Sequence, residues 1–237
     1  MFMNGITVFP ATDAPAVRFA ADFLEERGVA IVRSAEEAAT HWLLPVPTPA
    51  ELLKKIPPEV TVIGGKLDSL PDTYRRLDLL KSEHYLAKNA ALTADCALRL
   101  LGQQLQVAFA GCPVLVIGWG RIGKCLCQKL SALGVRVTVA ARKETDRAMA
   151  AAFGYDAVTM EEIVPRRFRA IFNTAPAPVL PRGGGDCVKI DLASRQGMAG
   201  ANVIWARGLP GRMLPESSGA LIAQEILALL REKEEVK

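Results

Sequence analysis

A chain of 237 residues can form one large domain or two small ones, and because half of its residues are hydrophobic it can bury an extensive core. Its net charge of +4 comes from Lys and Arg residues scattered among acids, so we expect no binding to nucleic acids. The amino terminus lacks a charged region followed by an apolar run, and no apolar stretch is long enough to span a bilayer, so we expect neither a signal peptide nor a membrane association.

Strands and helices alternate over the first part of the chain. Ile6–Pro10 reads as an apolar strand, and the helix after it has Thr12 or Asp13 as a cap, Pro15 in its first turn and Gly28 at its end. The further elements predicted are a strand at 29–34, an apolar run at 42–47, a short helix at 51–56 and a strand at 60–65. This alternation indicates a parallel α/β layer.

A long helical pattern follows, from about Asp78 to Val107. The segment Asn89–Thr93 interrupts the pattern, and Thr93 can cap the helix that continues to Gly111. We interpret this second helix as the connector between two domains.

A second α/β run occupies the remainder of the chain. Strands are predicted at 114–118, 135–142, 156–158, 169–176, 187–194 and 202–208, helices at 121–134, 143–154 and 217–237, and a helical turn at 161–165. Arg182–Asp186 contains three consecutive glycines and is predicted to be a flexible turn.

A glycine motif joins the first strand and the first helix of this run. It matches G-x-G-x-x-G, in which the first glycine permits a tight turn, the second lets a pyrophosphate approach the backbone, and the third lets the helix pack on the strand. The free N–H groups at the helix start then face the phosphates. The βαβ context favours a Rossmann-type dinucleotide site over ordinary turn glycines. The cofactor-binding residues predicted here are Gly118, Trp119, Gly120, Arg121, Ile122 and Gly123.

These patterns predict an α/β fold, a Rossmann-type doubly wound parallel sheet with a smaller N-terminal α/β domain. The predicted boundaries are 1–88 for the N-terminal domain on the substrate and partner side, 89–111 for the connector helix, 112–214 for the dinucleotide-binding domain and 215–237 for a C-terminal helix.

The second strand of the dinucleotide-binding domain ends in Ala141, Arg142 and Lys143. Sites that prefer NAD usually carry Asp or Glu there, about 20 residues after the motif. An arginine can instead pair with the 2′-phosphate of NADP and stack on the adenine. We therefore predict NADP rather than NAD as the cofactor, the alternative being a solvated basic pair at the edge of a loop.

Small polar residues follow the next two hydrophobic strands. At the carboxyl edge of a doubly wound sheet they would reach the nicotinamide ribose and amide, although such residues also form ordinary turns. The cofactor-binding residues predicted on this basis are Asn173, Thr174, Ala175, Pro176, Asp191, Ala193 and Ser194.

No catalytic residue stands out, so the catalytic acid or base is left unassigned. The two histidines, His41 and His84, are interpreted as structural, and there is no Ser-His-Asp order or phosphate loop. Five cysteines without a C-x-x-C pair argue against a disulfide scaffold and against zinc, so no metal is expected, and free thiols suit a reducing cytoplasm.

Several segments, taken in order, carry a resemblance to a known family. They are Leu43–Thr48, Val62–Lys66, Asn89 with Leu92–Asp95, Val114–Gly123, Phe172–Pro176, Ile190–Ser194 and Gly208–Gly211. In this order the chain resembles the A subunit of bacterial dipicolinate synthase. It departs from that family at Asp95–Cys96, at Ala206–Arg207 and at Leu214–Gly219, and its N-terminal part looks shortened.

The resemblance implies a small N-terminal α/β domain followed by a Rossmann domain, and dehydrogenation of a dihydrodipicolinate-type cyclic dicarboxylate with NADP as the hydride acceptor. It implies a flavoprotein-like B subunit as partner and a location in the mother cell of a spore-forming bacterium. Whether the chain forms a homo-oligomer is left open.

A substrate site is expected in a groove between the domains, because small ligands usually bind where domains meet. Asn89–Asp95 and the Leu44–Thr48 run would face Asn173 and Gly208 there, and Lys66, Arg207 and Arg212 are candidate carboxylate partners. The substrate residues predicted are Pro45, Thr48, Lys66, Asn89, Thr93, Arg207, Gly208, Leu209 and Pro210.

Two other functions remain open from the sequence. One is a nucleotide-binding partner subunit that is inactive alone, which the missing acid or base favours. The other is an NADP dehydrogenase of the shikimate or amino-acid type, which the chain resembles more distantly.

Overall fold

A computed structural model describes residues 5–34, 37–180, 186–200 and 202–235, with side chains up to residue 231. The predicted turn at Arg182–Asp186 therefore lies outside the described residues, apart from Asp186. The chain divides into two compact units, a first unit of residues 1–92 with 210–237 and a second unit of residues 93–209.

The helices and strands alternate as the sequence predicts. The strands are β1 (Thr7–Pro10), β2 (Ala30–Ile31), β3 (His41–Leu43), β4 (Thr61–Gly64), β5 (Arg76–Asp78), β6 (Pro113–Ile117), β7 (Arg136–Ala140), β8 (Asp156–Val158), β9 (Ala170–Asn173), β10 (Val188–Asp191) and β11 (Val203–Trp205). The helices are α1 (Pro15–Glu25), α2 (Ala50–Leu53), α3 (Glu83–Gln104), α4 (Arg121–Ala132), α5 (Glu144–Ala152), α6 (Leu209–Met213) and α7 (Pro215–Glu235).

The first unit is built on a five-stranded parallel sheet in the order β2-β1-β3-β4-β5. Helix α7 returns from the end of the chain and packs against α1. A Cβ at Gly219 would collide with Phe19 and with the α1 backbone, so glycine there lets the two helices approach closely. The C-terminal helix thus shares the core of the first unit, whereas the sequence suggested a separate segment.

The second unit is a six-stranded parallel sheet in the order β11-β10-β9-β6-β7-β8. This is the doubly wound order of dinucleotide-binding domains, and it confirms the predicted fold class. The chain moves outward from β6 to one edge and then restarts at β9 on the other side of β6. The carboxyl ends of β6 and β9 therefore flank the point where ligands bind in such sheets.

The structure corrects four local predictions. Helix α3 runs without a break, so Asn89–Thr93 does not interrupt it and Thr93 is not a cap. Ala14 is the N-cap of α1 and makes no side-chain cap bond. Arg76–Asp78 is a strand rather than the start of a helical stretch. The helical turn predicted at 161–165 is displaced towards the C-terminus, where a short 3₁₀ helix spans Pro165–Arg167. Helix α6 was not predicted.

Candidate dinucleotide-binding site

The glycine turn after β6 has the backbone geometry that the motif predicts. Gly118 has a φ of 103°, which L side chains rarely adopt, and its N–H donates to the Ala140 carbonyl at 2.9 Å. A Cβ at Gly123 would collide with the Gly118 carbonyl oxygen, so glycine there lets α4 pack against the turn. A Cβ at Gly120 would meet no atom within 4 Å. Gly120 thus borders open space at the start of α4.

Helix α4 presents a free N-terminus to that space. Gly120 is its N-cap, and no side chain caps the helix. The first N–H groups of a helix have no intrahelical partner, and the helix dipole adds partial positive charge there. An anionic group beside Gly120 would satisfy these donors, which is how Rossmann domains hold a pyrophosphate.

A pocket of about 240 Å³ opens beside the turn. It joins the glycine turn to the ends of β7 and β9, as expected for a dinucleotide cleft. Of the predicted cofactor residues, the structure brings together in its lining Gly118, Trp119, Gly120, Ala141, Arg142, Lys143, Thr174, Ala175 and Pro176. The lining also includes Ile117, Ala140, Asp146, Met160 and Val179, which sequence reasoning missed.

The basic loop after β7 forms the far side of this pocket. Arg142 and Lys143 are exposed. Arg147, from the next helix, donates through Nη1 to the carbonyl oxygens of Ala141 at 2.9 Å and Arg142 at 2.8 Å. Arg147 therefore fixes the backbone of the loop, while the Asp146 carboxylate adds a negative charge to the same lining. The sequence analysis did not identify Arg147. Its position one helical turn into the helix that follows Arg142 was the signal that could have indicated a contact with this loop.

Asn173 and Asp191 have a different environment from their neighbours. They lie opposite each other on β9 and β10, both fully buried, and Asn173 Nδ2 donates to Asp191 Oδ1 at 3.0 Å. Asp191 also accepts from the backbone N–H groups of Ala193, Gly197 and Met198 at 2.7–3.0 Å. The Asn173 amide bonds the backbone of Ala175 through both of its polar atoms. The pair orders the loops after both strands.

Seven of the predicted cofactor residues are absent from the described lining of the pocket. Three of them, Arg121, Ile122 and Gly123, lie in the first turn of α4. The other four are Asn173, Asp191, Ala193 and Ser194. Ala193 is buried, and its carbonyl accepts from Trp205 Nε1 at 3.2 Å, whereas Ser194 is exposed. Direct contacts of these four residues with a nicotinamide group stay a prediction.

Trp119 and the two remaining motif residues differ in exposure. The Trp119 indole is 6% exposed and meets the rings of Phe153 and Tyr155 edge-on at 6.0 and 5.8 Å. Within the described part of the chain its Nε1 has no hydrogen-bond partner, which leaves an unused donor on a residue of the pocket lining. Arg121 is exposed and Ile122 partly buried in the first turn of α4.

Three predicted substrate residues of the first unit, Pro45, Thr48 and Lys66, lie after β3 and β4. The buried Thr48 hydroxyl donates to the Pro45 carbonyl at 2.8 Å and accepts from the Gly65 N–H at 3.1 Å, so it links the two loops. Lys66 is exposed and has a φ of 63°, with its N–H donating to Asp78 Oδ1 at 3.3 Å. A left-handed backbone at a residue other than glycine is often found at functional sites.

The other predicted substrate residues are distributed over both units. Asn89 lies in α3 within the first unit, and buried Thr93 lies in α3 within the second. Arg207 is exposed, with its guanidinium 5.5 Å from the centre of the Trp205 ring, and Gly208 follows with a φ of 61°. Leu209 and Pro210 are buried at the start of α6, and Arg212 lies in the same helix. A single substrate site built from all of them stays a prediction.

No acid or base for catalysis emerges from the titratable groups of the pocket. Arg142, Lys143 and Asp146 are the charged residues of its described lining. His84 bonds the buried Glu225 carboxylate at 2.7 Å and His41 bonds Thr40 at 2.9 Å, both in the first unit. Burial raises the pKa of Cys96 to about 11 and of Cys127 to about 12, so neither is a thiolate at neutral pH.

Among the residues that the structure describes, no group of three or more His, Cys, Asp or Glu side chains could hold a metal ion. None of the described helices has the length and apolar character needed to cross a membrane.

Comparisons with known proteins agree with this geometry. Residues 88–178 match the family described as D-isomer specific 2-hydroxyacid dehydrogenase, NAD binding domain. This match indicates a nicotinamide cofactor and supports an oxidoreductase. It covers the glycine turn, the basic loop and the end of β9.

A curated relative and two solved structures carry the same name. The dipicolinate synthase A subunit of Bacillus subtilis is 27% identical over 159 residues, covering 61% of this chain and 54% of that protein, so the alignment spans about half the length of the relative. The dipicolinate synthase A subunit from Bacillus halodurans superposes with a TM-score of 0.79 at 21% identity, covering 97% of this chain and 99% of that one. The solved Bacillus subtilis structure gives 0.80 at 19% identity, covering 100% and 99%. The resemblance predicted from the sequence is confirmed.

Proposed function

We propose that this chain is an NADP-dependent oxidoreductase that dehydrogenates a dihydrodipicolinate-type cyclic dicarboxylate to dipicolinate, together with a partner subunit. The observation that carries the proposal is the pocket in which a glycine turn, a free helix N-terminus and the Arg142–Lys143 pair converge. The named relatives support the substrate class, because both the curated relative and the two solved structures are dipicolinate synthase subunits.

The residues of the pocket fit a dinucleotide with a phosphate on its adenosine ribose. The open space at Gly120 and the uncapped start of α4 would hold the pyrophosphate. Arg142 offers a planar set of donors to a 2′-phosphate, and Lys143 adds a second positive charge. Arg147 donates to the carbonyls of Ala141 and Arg142, which fixes the loop and leaves the Arg142 side chain available to the phosphate.

The proposed reaction asks little of protein acids and bases. Conversion of a dihydropyridine dicarboxylate to the aromatic pyridine removes one hydride and one proton. When bound, the nicotinamide of NADP supplies the acceptor for the hydride. Because the product ring gains aromatic stabilisation, the proton can pass to water, and the chain has mainly to orient the substrate and exclude competing water.

An inactive nucleotide-binding subunit is the second candidate function. Asp146 is the one carboxylate of the described lining, which contains no histidine, tyrosine or cysteine, so this alternative stays open. A chain of this kind would bind the cofactor without catalysing hydride transfer.

One assay tests both candidates. The purified chain would be mixed with NADP and a dihydrodipicolinate-type substrate, with and without the candidate partner subunit, and NADPH formation followed by absorbance. We expect cofactor binding by the chain alone and turnover only with the partner. Robust turnover by the chain alone would contradict the need for a partner. Binding without turnover in either mixture would contradict the oxidoreductase and leave the inactive subunit.

A further inference from the structure

A second and larger cavity lies at the amino-terminal ends of the strands of the second sheet, whereas the dinucleotide pocket lies at their carboxyl ends. Its volume is about 670 Å³. Pro113 and Val188, which begin β6 and β10, line it, as does Arg169, which directly precedes β9. The dinucleotide pocket is lined by residues at the carboxyl ends of β6, β7 and β9. Because the strands are parallel, the two cavities lie at opposite edges and belong to separate sites.

Three arginines line this cavity. Arg166 and Arg167 come from the 3₁₀ turn before β9, and Arg169 follows two residues later. All three are exposed, and within the described residues no hydrogen bond or ion pair holds their guanidinium groups. Asp186 is the one acidic residue of the described lining. The positive charge of the cavity is therefore left largely uncompensated.

The charge of the whole unit strengthens this positive field. Residues 93–209 contain 15 Lys and Arg against 8 Asp and Glu, whereas the rest of the chain contains 14 against 17. An excess of one sign around a concave surface attracts ligands of the other sign. Guanidinium groups bind phosphate and carboxylate oxygens through paired hydrogen bonds.

The remaining lining defines the kind of anion that fits. Gln104 and Gln106 offer amide donors and acceptors, and Leu105 and Phe168 offer apolar surface. The volume falls in the range of about 300–1,000 Å³ typical of small-molecule sites. Burial raises the pKa of the Cys187 thiol, which argues against a thiolate that would bind a metal or attack a substrate.

We propose that this cavity binds a small organic polyanion, a molecule with at least two phosphate or carboxylate groups, at a site separate from the cofactor. The arginines would bind the anionic groups, and the glutamines and apolar residues would contact the body of the molecule. A ligand there would touch the starts of β6, β9 and β10, at the edge of the sheet opposite the dinucleotide pocket.

Titration calorimetry with pyrophosphate and with citrate tests the site and distinguishes phosphate from carboxylate ligands. A double variant, Arg167→Gln with Arg169→Gln, removes two arginines of the cavity. Two single variants are controls: Gly120→Val changes the dinucleotide pocket, and Arg99→Gln replaces an exposed arginine outside both cavities. We expect saturable binding of at least one probe, weakened at least about 10-fold in the double variant. Arg99→Gln should bind both probes as the unmodified chain does. Gly120→Val alters the pocket that would hold a pyrophosphate, so it should lose only that part of the pyrophosphate binding and should keep all of the binding that the cavity arginines provide.

Three results would overturn the proposal. One is no saturable binding of either probe, and another is binding lost in Gly120→Val but kept in the double variant, which assigns the anion to the dinucleotide pocket. The third is an equal loss in Arg99→Gln, which indicates a general charge effect. Thermal unfolding of each variant checks the fold, which exposed arginines without partners should not perturb.

Discussion

Replacement of Arg142 by alanine should separate the two nicotinamide cofactors. Arg142 is exposed in the lining of the dinucleotide pocket, next to Lys143, and the backbone at its carbonyl is held by Arg147 at 2.8 Å. The loop should therefore keep its conformation when the side chain is removed. We expect the substitution to remove only the proposed contact with the 2′-phosphate, which NAD lacks.

The size of the effect follows from the exposure of the site. A hydrogen bond to a charged group contributes about 1.5–3 kcal/mol, and an exposed group lies at the lower end of that range. We expect Arg142→Ala to weaken NADP binding about 10-fold to 30-fold and NAD binding by less than about 2-fold. The difference should shrink as salt concentration rises, because exposed charges are screened.

Calorimetric titration of both cofactors measures this difference. Arg99→Ala, which removes an exposed arginine outside the pocket, is the matched control and should change neither affinity. Arg147→Ala should weaken both cofactors, since it releases the carbonyls of Ala141 and Arg142. Equal losses for NADP and NAD in Arg142→Ala, or a preference of the unmodified chain for NAD, would refute the reasoning.

Other variants test separate parts of the structure. Gly120→Val should abolish dinucleotide binding and leave the unfolding temperature nearly unchanged, because its Cβ enters open space. Gly123→Val should lower the free energy of unfolding by about 1–3 kcal/mol or more, because its Cβ meets the Gly118 carbonyl. Equal unfolding temperatures for the two variants would contradict this contrast. His84→Ala should lower the free energy of unfolding by about 1–3 kcal/mol in a denaturant titration, because the buried Glu225 carboxylate, 3% exposed, loses its hydrogen bond of 2.7 Å to His84. A double variant that also carries Glu225→Gln should recover part of this loss. Burial raises the pKa of the Cys127 thiol from 9.0 to about 12, so the unfolded chain loses this proton at a lower pH than the folded chain does. The free energy of unfolding should therefore fall as the pH rises from about 9 towards 12. Cys127→Ala should make this fall shallower, and an unchanged pH dependence would exclude Cys127 as its cause.

The dinucleotide fold was predictable because its requirements are local. A turn with positive φ at Gly118 and a close contact between Gly118 and Gly123 can be met by few residues other than glycine. Their spacing between an apolar strand and a helix can be recognised from the sequence alone. The position of Arg142 after the second strand follows from the same counting.

Several local predictions were wrong because packing decided them. Helix α3 continues through Asn89–Thr93, where buried Ala90 and Thr93 belong to a helical face that extends to Ala94. This stretch contains no glycine or proline, so tertiary burial can override its modest helix propensity. Strand β5 contains one apolar residue, Leu77, and forms because it pairs with β4.

The pairing of Asn173 with Asp191 is a further feature that sequence could suggest only in part. Both residues end apolar strands, which placed them at the same edge of the sheet. That they lie opposite each other and bond each other, with the Asp191 carboxylate ordering the loop at Gly197 and Met198, depends on the register of β9 and β10.

The sequence by itself determined the α/β class, the glycine turn and the basic end of β7, because each depends on residues within a few positions of one another. Only the tertiary structure decided that α7 packs against α1 and that Arg147 holds the loop at Arg142. It alone brought Arg166, Arg167 and Arg169 to one cavity with the starts of β6 and β10. These contacts join residues far apart in the chain or depend on side-chain direction, and hydrophobic periodicity specifies which face of an element is buried but not which element will cover it.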